Sequence, residues 1–409
     1  MAKSTLVKIC FLSFTVAQLV SLFGDRLHQF SVVGMIGKVA PGSSVELFQF
    51  ALFSHLPILI FAPVFGRLID RANRAVVLVA VDALRGIIVL FMPMLFHMMG
   101  NMYAFYLPVF LLSIANLLFA PAKSAAIPEY FGSLNLLRIN ALLWGLGIVG
   151  TIGGFMLGGW FFDYVTWETS FYCDGISYLV STVFLVPLFW LARRTNPISI
   201  DEPEEKRSAL ASYISSIREG FSLIGTNSQV VYSLAVQTAL FVVLGALYVV
   251  GIARMQDVLP PDKTIYLSAV ATSGTVGLLA GSGLAAVTQR WLSPNRVIAH
   301  STLFLAVSLI GVSRSETFLP LTAWTFVLGV GFSPVTIVTE TLLQVNIPEA
   351  FRGRVFAARE VLIKTAFLGA SLAATLLTIV LSKALIILVI GLFLAVTAIV
   401  LERRNYLTV

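Results

Sequence analysis

Long apolar runs alternate with short polar breaks along almost the whole chain. A helix that crosses a bilayer needs about 20 predominantly apolar residues. Twelve runs approach or exceed that length, at roughly 8–36, 45–65, 76–97, 104–121, 139–162, 171–192, 229–253, 265–288, 297–313, 318–345, 357–381 and 384–401. Strands of an outer-membrane barrel would alternate in polarity over about ten residues, and these runs do not. The pattern therefore predicts an all-α membrane protein with twelve transmembrane helices. The first run follows MAKSTLVK with no A-x-A-like cleavage site, so it reads as a span and not as a removable signal.

Composition fits the pattern. Of 409 residues, 58% are hydrophobic and 11% charged, whereas a soluble domain carries about 25% charged residues. The net charge of +7 is spread among the apolar segments and not gathered in one patch, which excludes nucleic acid as a partner. The bases also set orientation. With the N-terminus inside, only Lys38, Lys263, Arg314 and Lys383 fall in outer loops, while Arg67, Arg71, Arg74, Arg193, Arg194, Arg352, Arg354 and Arg403 fall inside. Both termini are then cytoplasmic, as an even number of spans requires. Cys10 and Cys173 lie in apolar runs and read as two buried thiols with no disulfide framework.

The longest polar stretch divides the chain into 1–192, a linker at 193–228, and 229–409. The linker opens with RRTNPISIDEPEEKR, which has no apolar period and reads as solvated chain. It continues as ASYISSIREGFSLIG, where Tyr213, Ile214, Ile217, Phe221 and Ile224 share one helical face suited to the inner membrane surface. Six spans lie on each side, and the sides echo each other. Ile127-Pro128-Glu129-Tyr130-Phe131 follows the fourth span, and Ile347-Pro348-Glu349-Ala350-Phe351 follows the tenth. An echo at equivalent places predicts two pseudo-symmetric six-helix halves.

Between spans 2 and 3 the chain reads Gly66-Arg67-Leu68-Ile69-Asp70-Arg71-Ala72-Asn73-Arg74. A glycine for a tight turn, an acid and several bases make a compact charged latch. Positive-inside charge alone explains the arginines but not Gly66 and Asp70 at this spacing. The loop resembles the signature G-x-L-x-D-R-x-x-R of the major facilitator superfamily. The resemblance implies twelve helices around a central cavity and a cytoplasmic gate that this loop locks, with Gly66, Asp70, Arg71 and Arg74 in it. Span 5 carries Gly150, Gly154, Gly158 and Gly159, whose spacing lets a facing helix approach closely. This run resembles the superfamily's antiporter motif, which is more frequent in exporters, except that Phe155 replaces its proline.

Further stretches resemble the branch of enterobactin and macrolide exporters: Asp82-Ala83-Leu84-Arg85, Asp174-Gly175-Ile176-Ser177-Tyr178, Arg218-Glu219-Gly220-Phe221 and Phe351-Arg352-Gly353-Arg354-Val355. Others resemble bacterial lysophospholipid transporters: Phe23-Gly24-Asp25, Phe61-Ala62-Pro63 and Pro121-Ala122-Lys123. The sequence departs from that second group at Asp82 and Arg85.

Ionisable residues inside spans are costly in hydrocarbon, so each should be paired or face a cavity. Asp82 and Arg85 stand three apart on one helix and read as an intramembrane charge pair. Asp174, near the outer end of span 6, reads as hydrated or capping. Arg352, Arg354, Arg359 and Glu360 read as part of the gate. Asp25, Arg26, His28 and Gln29 in span 1 and Glu340 in span 10 remain as substrate or coupling residues, Asp25 paired with Arg26 being the plain alternative. Glu340 has no base within its own span and is the expected proton carrier; Asp25 with Arg26 is the expected substrate-orienting pair. Aromatic residues at Phe30, Phe50, Phe53, Trp144, Phe241 and Trp324 suit an apolar cargo.

The four histidines never form a ligand-spaced pair and no phosphate-binding loop is present, so no enzyme activity, metal or cofactor is expected. The expectation is a monomeric secondary transporter in the bacterial inner membrane, exporting an amphipathic small molecule by proton antiport. A lysophospholipid flippase without proton coupling, and a non-transporting sensor, are the alternatives.

Overall fold

The structure, a computed structural model, describes residues 2–71, 73–132, 134, 136–192, 209–225, 227–260 and 263–403. It is all-α, with α1 (Ala2–Val39), α2 (Ser44–Arg71), α3 (Arg74–Met99), α4 (Tyr103–Phe131), α5 (Leu136–Tyr164), α6 (Trp167–Leu185) and the short α7 (Leu188–Ala192). These are followed by α8 (Ala209–Ile224), α9 (Ser228–Val258), α10 (Thr264–Thr288), α11 (Pro294–Arg314), α12 (Phe318–Asn346), α13 (Glu349–Leu377) and α14 (Lys383–Arg403). Among the described residues twelve helices are long and apolar enough to cross a membrane, α6 and α7 together making one of them. Linker residues 193–208 lie outside the described residues, and α8 occupies the amphipathic stretch that follows them.

Local chemistry sets several helix starts. Asn73, inside the signature loop, caps α3 by accepting from Ala75 N and Val76 N. Thr166 caps α6 and Asn227 caps α9 in the same way. Each such cap contributes about 1 kcal/mol.

The chain forms two compact units. The first comprises Met1–Met35 and Phe53–Ala211; the second comprises Ile36–Leu52 and Ser212–Val409. In the first, α3 packs on α4 and α6, and Phe14, Leu78, Phe119, Phe131 and Leu188 form a buried core. In the second, α11 packs on α12 and α14, α10 on α12, and α9 on α13. The pairings of α3 with α4 and α6 thus recur as those of α11 with α12 and α14, the internal repeat that the Ile-Pro-Glu echo announced.

The echo itself adopts two local structures. In the first unit Ile127, Pro128 and Glu129 continue α4 to its end at Phe131. In the second, Ile347 ends α12 and Pro348 caps α13.

The turn between α1 and α2 joins the second unit. Gly42 has a positive φ of 67°, which a residue with a Cβ rarely adopts. A Cβ there would also strike Asp257 and Lys383. The Gly42 N–H donates to Gln256 Oε1 at 3.2 Å, and Lys383 Nζ lies 2.8 Å from Asp257 Oδ2.

Candidate functional site

The first unit holds a polar network inside its membrane helices. It begins with the i, i+3 pair on α3: Arg85 Nη1 donates to Asp82 Oδ1 at 3.1 Å, and both side chains are buried. Arg85 Nη2 also donates to Asn116 Oδ1 on α4 at 2.5 Å, and the guanidinium sits 4.1 Å from the Phe119 ring centroid. The Ser181 hydroxyl on α6 donates to Asp82 Oδ2 at 2.6 Å. One buried acid is therefore held from its own helix and from α6 together.

Two turns earlier on α6 lies Asp174, wholly buried, with Oδ2 2.5 Å from His28 Nδ1 on α1. Ser177 donates to its other oxygen at 3.3 Å. Asp174 was expected to be hydrated at the outer end of span 6; the structure instead closes α1 over it. Gly24 makes that approach possible, since a Cβ there would collide with Asp174 Oδ1 and Ser177 Oγ. Asp25, the next residue, accepts a hydrogen bond from the Tyr178 hydroxyl. Arg26 turns away from it and donates to Gln29 Oε1 at 2.7 Å. Lys123 on α4 lies within the electrostatic reach of Asp25, Asp82 and Arg85. The network thus draws on α1, α3, α4 and α6.

The glycines of α5 meet α1 beside this network. A Cβ on Gly154 would strike Arg26 Cβ and lie 2.7 Å from Phe23 O, and one on Gly158 would lie 3.3 Å from the Phe30 ring. At Gly150 the nearest atom would be Phe23 N at 3.4 Å, an ordinary contact. Gly159 is buried as well.

The second unit holds a smaller cluster. Arg359 on α13 donates from Nη2 to Glu340 Oε2 at 2.7 Å, from Nε to Gln237 Oε1 at 2.6 Å, and from Nη1 to Glu360 Oε1 at 3.1 Å. Gln237 on α9 is buried and donates to Thr339 Oγ1 at 3.1 Å and Glu340 Oε2 at 3.3 Å. Lys364 lies in the electrostatic reach of Glu360 and Arg359. The sequence grouped Arg359 and Glu360 with the gate and found no base for Glu340 within its own span. The structure brings one to Glu340 from α13, Arg359. Gln237 was missed altogether. A glutamine in an apolar span was its one sequence signal.

The remaining gate residues separate. Gly66, Asp70 and Arg71 fall on the last turns of α2, and their side chains lie outside the described residues. Arg74 Nε lies 2.9 Å from Glu129 Oε2, joining the end of the signature loop to the Ile-Pro-Glu motif. Arg352 Nε donates to Ile347 O at 3.2 Å. Arg354 Nη1 lies 2.9 Å from Glu219 Oε2 on α8. A Cβ on Gly220 would strike the Arg354 carbonyl. The Arg218–Phe221 and Phe351–Val355 motifs are therefore each other's partners.

Several expected wall aromatics fill helix contacts. Phe30 packs on Phe155 with ring centroids 6.1 Å apart, Phe53 stacks on Tyr106 at 5.3 Å, and Phe50 packs on Tyr248 at 6.5 Å. Trp324 lies where a Cβ on Gly311 would fall. No metal-ligand cluster occurs among the described residues.

Residues 14–361 match the family model described as Major Facilitator Superfamily. The chain is 24% identical over 350 residues to the uncharacterized MFS-type transporter YfiS of Bacillus subtilis, covering 84% of this chain and 80% of the relative. It is 24% identical over 359 residues to the putative bacilysin exporter BacE of Bacillus subtilis, covering 85% of each. Among solved structures, a bacterial homologue of the iron transporter ferroportin in the inward-facing state superposes with a TM-score of 0.71 at 17% identity, over 97% of this chain and 99% of that one. The nucleoside transporter NupG superposes with a TM-score of 0.66 at 12% identity, over 96% and 98%. At these identities the two structures establish the shared fold alone.

Proposed function

The chain belongs to the major facilitator superfamily, and on that premise we propose that it exports an amphipathic organic molecule by proton antiport, acting as a monomer with both termini cytoplasmic. The coarser function follows from membership: this is a secondary transporter of the bacterial inner membrane that moves a small molecule by alternating access, and it is not an enzyme.

The observation that carries the finer reading is the network of Asp25, His28, Asp82, Arg85 and Asp174 inside the spans of the first unit. A charge at the centre of a membrane helix costs roughly 3 kcal/mol or more, so sets of such residues mark ion or substrate pathways. Two further facts support export. The glycine run resembling the antiporter motif packs on α1, the helix that carries Asp25 and His28. Relatives of comparable length include putative exporters. In this reading Asp25 with Tyr178 orients the polar end of the cargo. Gly66, Asp70 and Arg71 belong to the cytoplasmic gate.

The test is flux in proteoliposomes with and without an imposed pH gradient, using ethidium, a catecholate siderophore and a lysophosphatidylethanolamine as probes. Acceleration of a dye or siderophore by the gradient supports export by antiport. Gradient-independent flux of the lysolipid alone would replace it with facilitated lipid flipping.

A further inference from the structure

We propose that the His28–Asp174 pair holds one exchangeable proton and is the coupling-ion site of the first unit. The inference rests on the antiport reading and names the group that carries its ion.

The argument starts from charge. Three carboxylates, Asp25, Asp82 and Asp174, lie inside the helices of this unit, and their partners differ. Asp82 is paired with Arg85, and Arg26, next to Asp25 in the chain, donates to Gln29 Oε1 at 2.7 Å. Among the described residues no arginine or lysine hydrogen-bonds Asp174; His28 and Ser177 do. An uncompensated buried charge costs several kcal/mol, so a buried, ionised Asp174 is compensated when the His28 ring beside it carries a proton.

Geometry decides where that proton sits. Asp82 has a permanent cation in Arg85 and a hydroxyl in Ser181. Asp25 has the Tyr178 hydroxyl and lies in the field of Lys123. Asp174 faces no permanent cation, only His28 and Ser177. Its 2.5 Å contact joins a titratable ring to a fully buried carboxylate. A protonated imidazole there supplies the missing charge, because both ring nitrogens then carry protons and the ring is cationic.

Access follows the same geometry. Asp174 has no exposed side-chain surface, whereas His28 keeps 8%. Of the two partners, the ring is the one that keeps surface for a proton to meet.

From α1 the pair faces the charge of Asp25, which has Arg26 beside it in the chain; from α6, Cys173, Ser177 and Tyr178. On α3 and α4, Asp82, Arg85 and Lys123 belong to the same network, and α5 turns glycines toward α1.

The experiment needs no cargo. Full-length protein labelled with 15N-histidine in lipid nanodiscs is followed by NMR between about pH 5 and pH 9, the range in which imidazole charge is tunable. His28 is assigned by the resonance lost in His28→Gln; if that variant fails to fold, loss in turn of His55, His97 and His300 assigns it by elimination. The expected result is one protonation step at His28, displaced by at least about one pH unit in Asp174→Asn, since a carboxylate in contact sets the ring's proton affinity. A His28 ring that keeps one protonation state across the range, or a step indifferent to Asp174→Asn, would overturn the proposal. Failure of antiport itself is seen separately, as flux in proteoliposomes that ignores the gradient.

Discussion

The two halves share a helix plan and differ in the charge they bury. In the second unit Glu340 and Glu360 both bond Arg359. In the first unit Asp82 bonds Arg85, whereas Asp174 bonds a histidine and a serine and, among the described residues, no arginine or lysine. The second cluster is also more open: Glu340 is 31% exposed and Glu360 49%, while Asp82 and Asp174 are not exposed at all. The shared helix plan thus carries different chemistry. A more open cluster whose acids bond an arginine can hold a shape or meet a cargo; a fully buried carboxylate whose basic partner is a histidine is suited to take up a proton.

Helix contacts diverge in the same manner. In the first unit the small residues stand on α5 and receive α1. In the second, Gly245 on α9 receives the Phe367 backbone of α13, and Gly277 and Gly281 on α10 receive Phe326 and Val330 of α12.

The largest contrast is expected from breaking one charge pair in each unit. Asp82→Ala strands Arg85 in the interior and should cost about 3–5 kcal/mol. Arg359→Met leaves a partly exposed Glu340 and should cost about 1–2 kcal/mol. Thermal unfolding of the detergent-solubilised variants measures both, and equal losses would break the comparison. Asp82→Leu with Arg85→Met should recover most of the first loss, because no charge is then left unpaired.

Next in size is the glycine contact. Gly154→Leu should abolish transport or folding, since even a Cβ strikes Arg26 and close helix approach depends on small residues. Gly150→Ala should be mild, its Cβ finding only ordinary contact. Normal transport by Gly154→Leu, measured as flux in proteoliposomes, would remove α5 from the account.

Much of this was legible in the sequence and some was not, for a physical reason. Hydropathy runs mark spans because each helix satisfies its own backbone in lipid. The Asp82–Arg85 pair was legible because three residues bring side chains together on one helix. His28 and Asp174 are separated by 146 positions, and only the packing of α1 on α6 at Gly24 brings them together. Arg359 and Glu340 likewise meet across two helices. Lone charges in apolar runs announce that partners exist, and tertiary packing decides which.

A smaller effect is expected at the gate. Asp70→Asn should slow transport while leaving membrane insertion intact, by biasing the equilibrium between inward-open and outward-open states. Wild-type flux in that variant would separate the signature loop from the mechanism. The smallest effect belongs to the α8 contact. Glu219→Ala removes a half-exposed pair with Arg354 and should change stability by less than about 1 kcal/mol. A larger fall in unfolding temperature would make α8 part of the second unit's core.

The central claim is that the first unit, and not the second, carries the coupling ion. Its most direct test compares His28→Gln with Glu340→Gln in proteoliposomes, reading the ratio of flux with a pH gradient to flux without one, for whichever probe the wild type carries. The account predicts a ratio of about one in His28→Gln, where no proton remains to couple, and a ratio near the wild-type value in Glu340→Gln even if total flux falls. A gradient response that survives in His28→Gln and disappears in Glu340→Gln would contradict it.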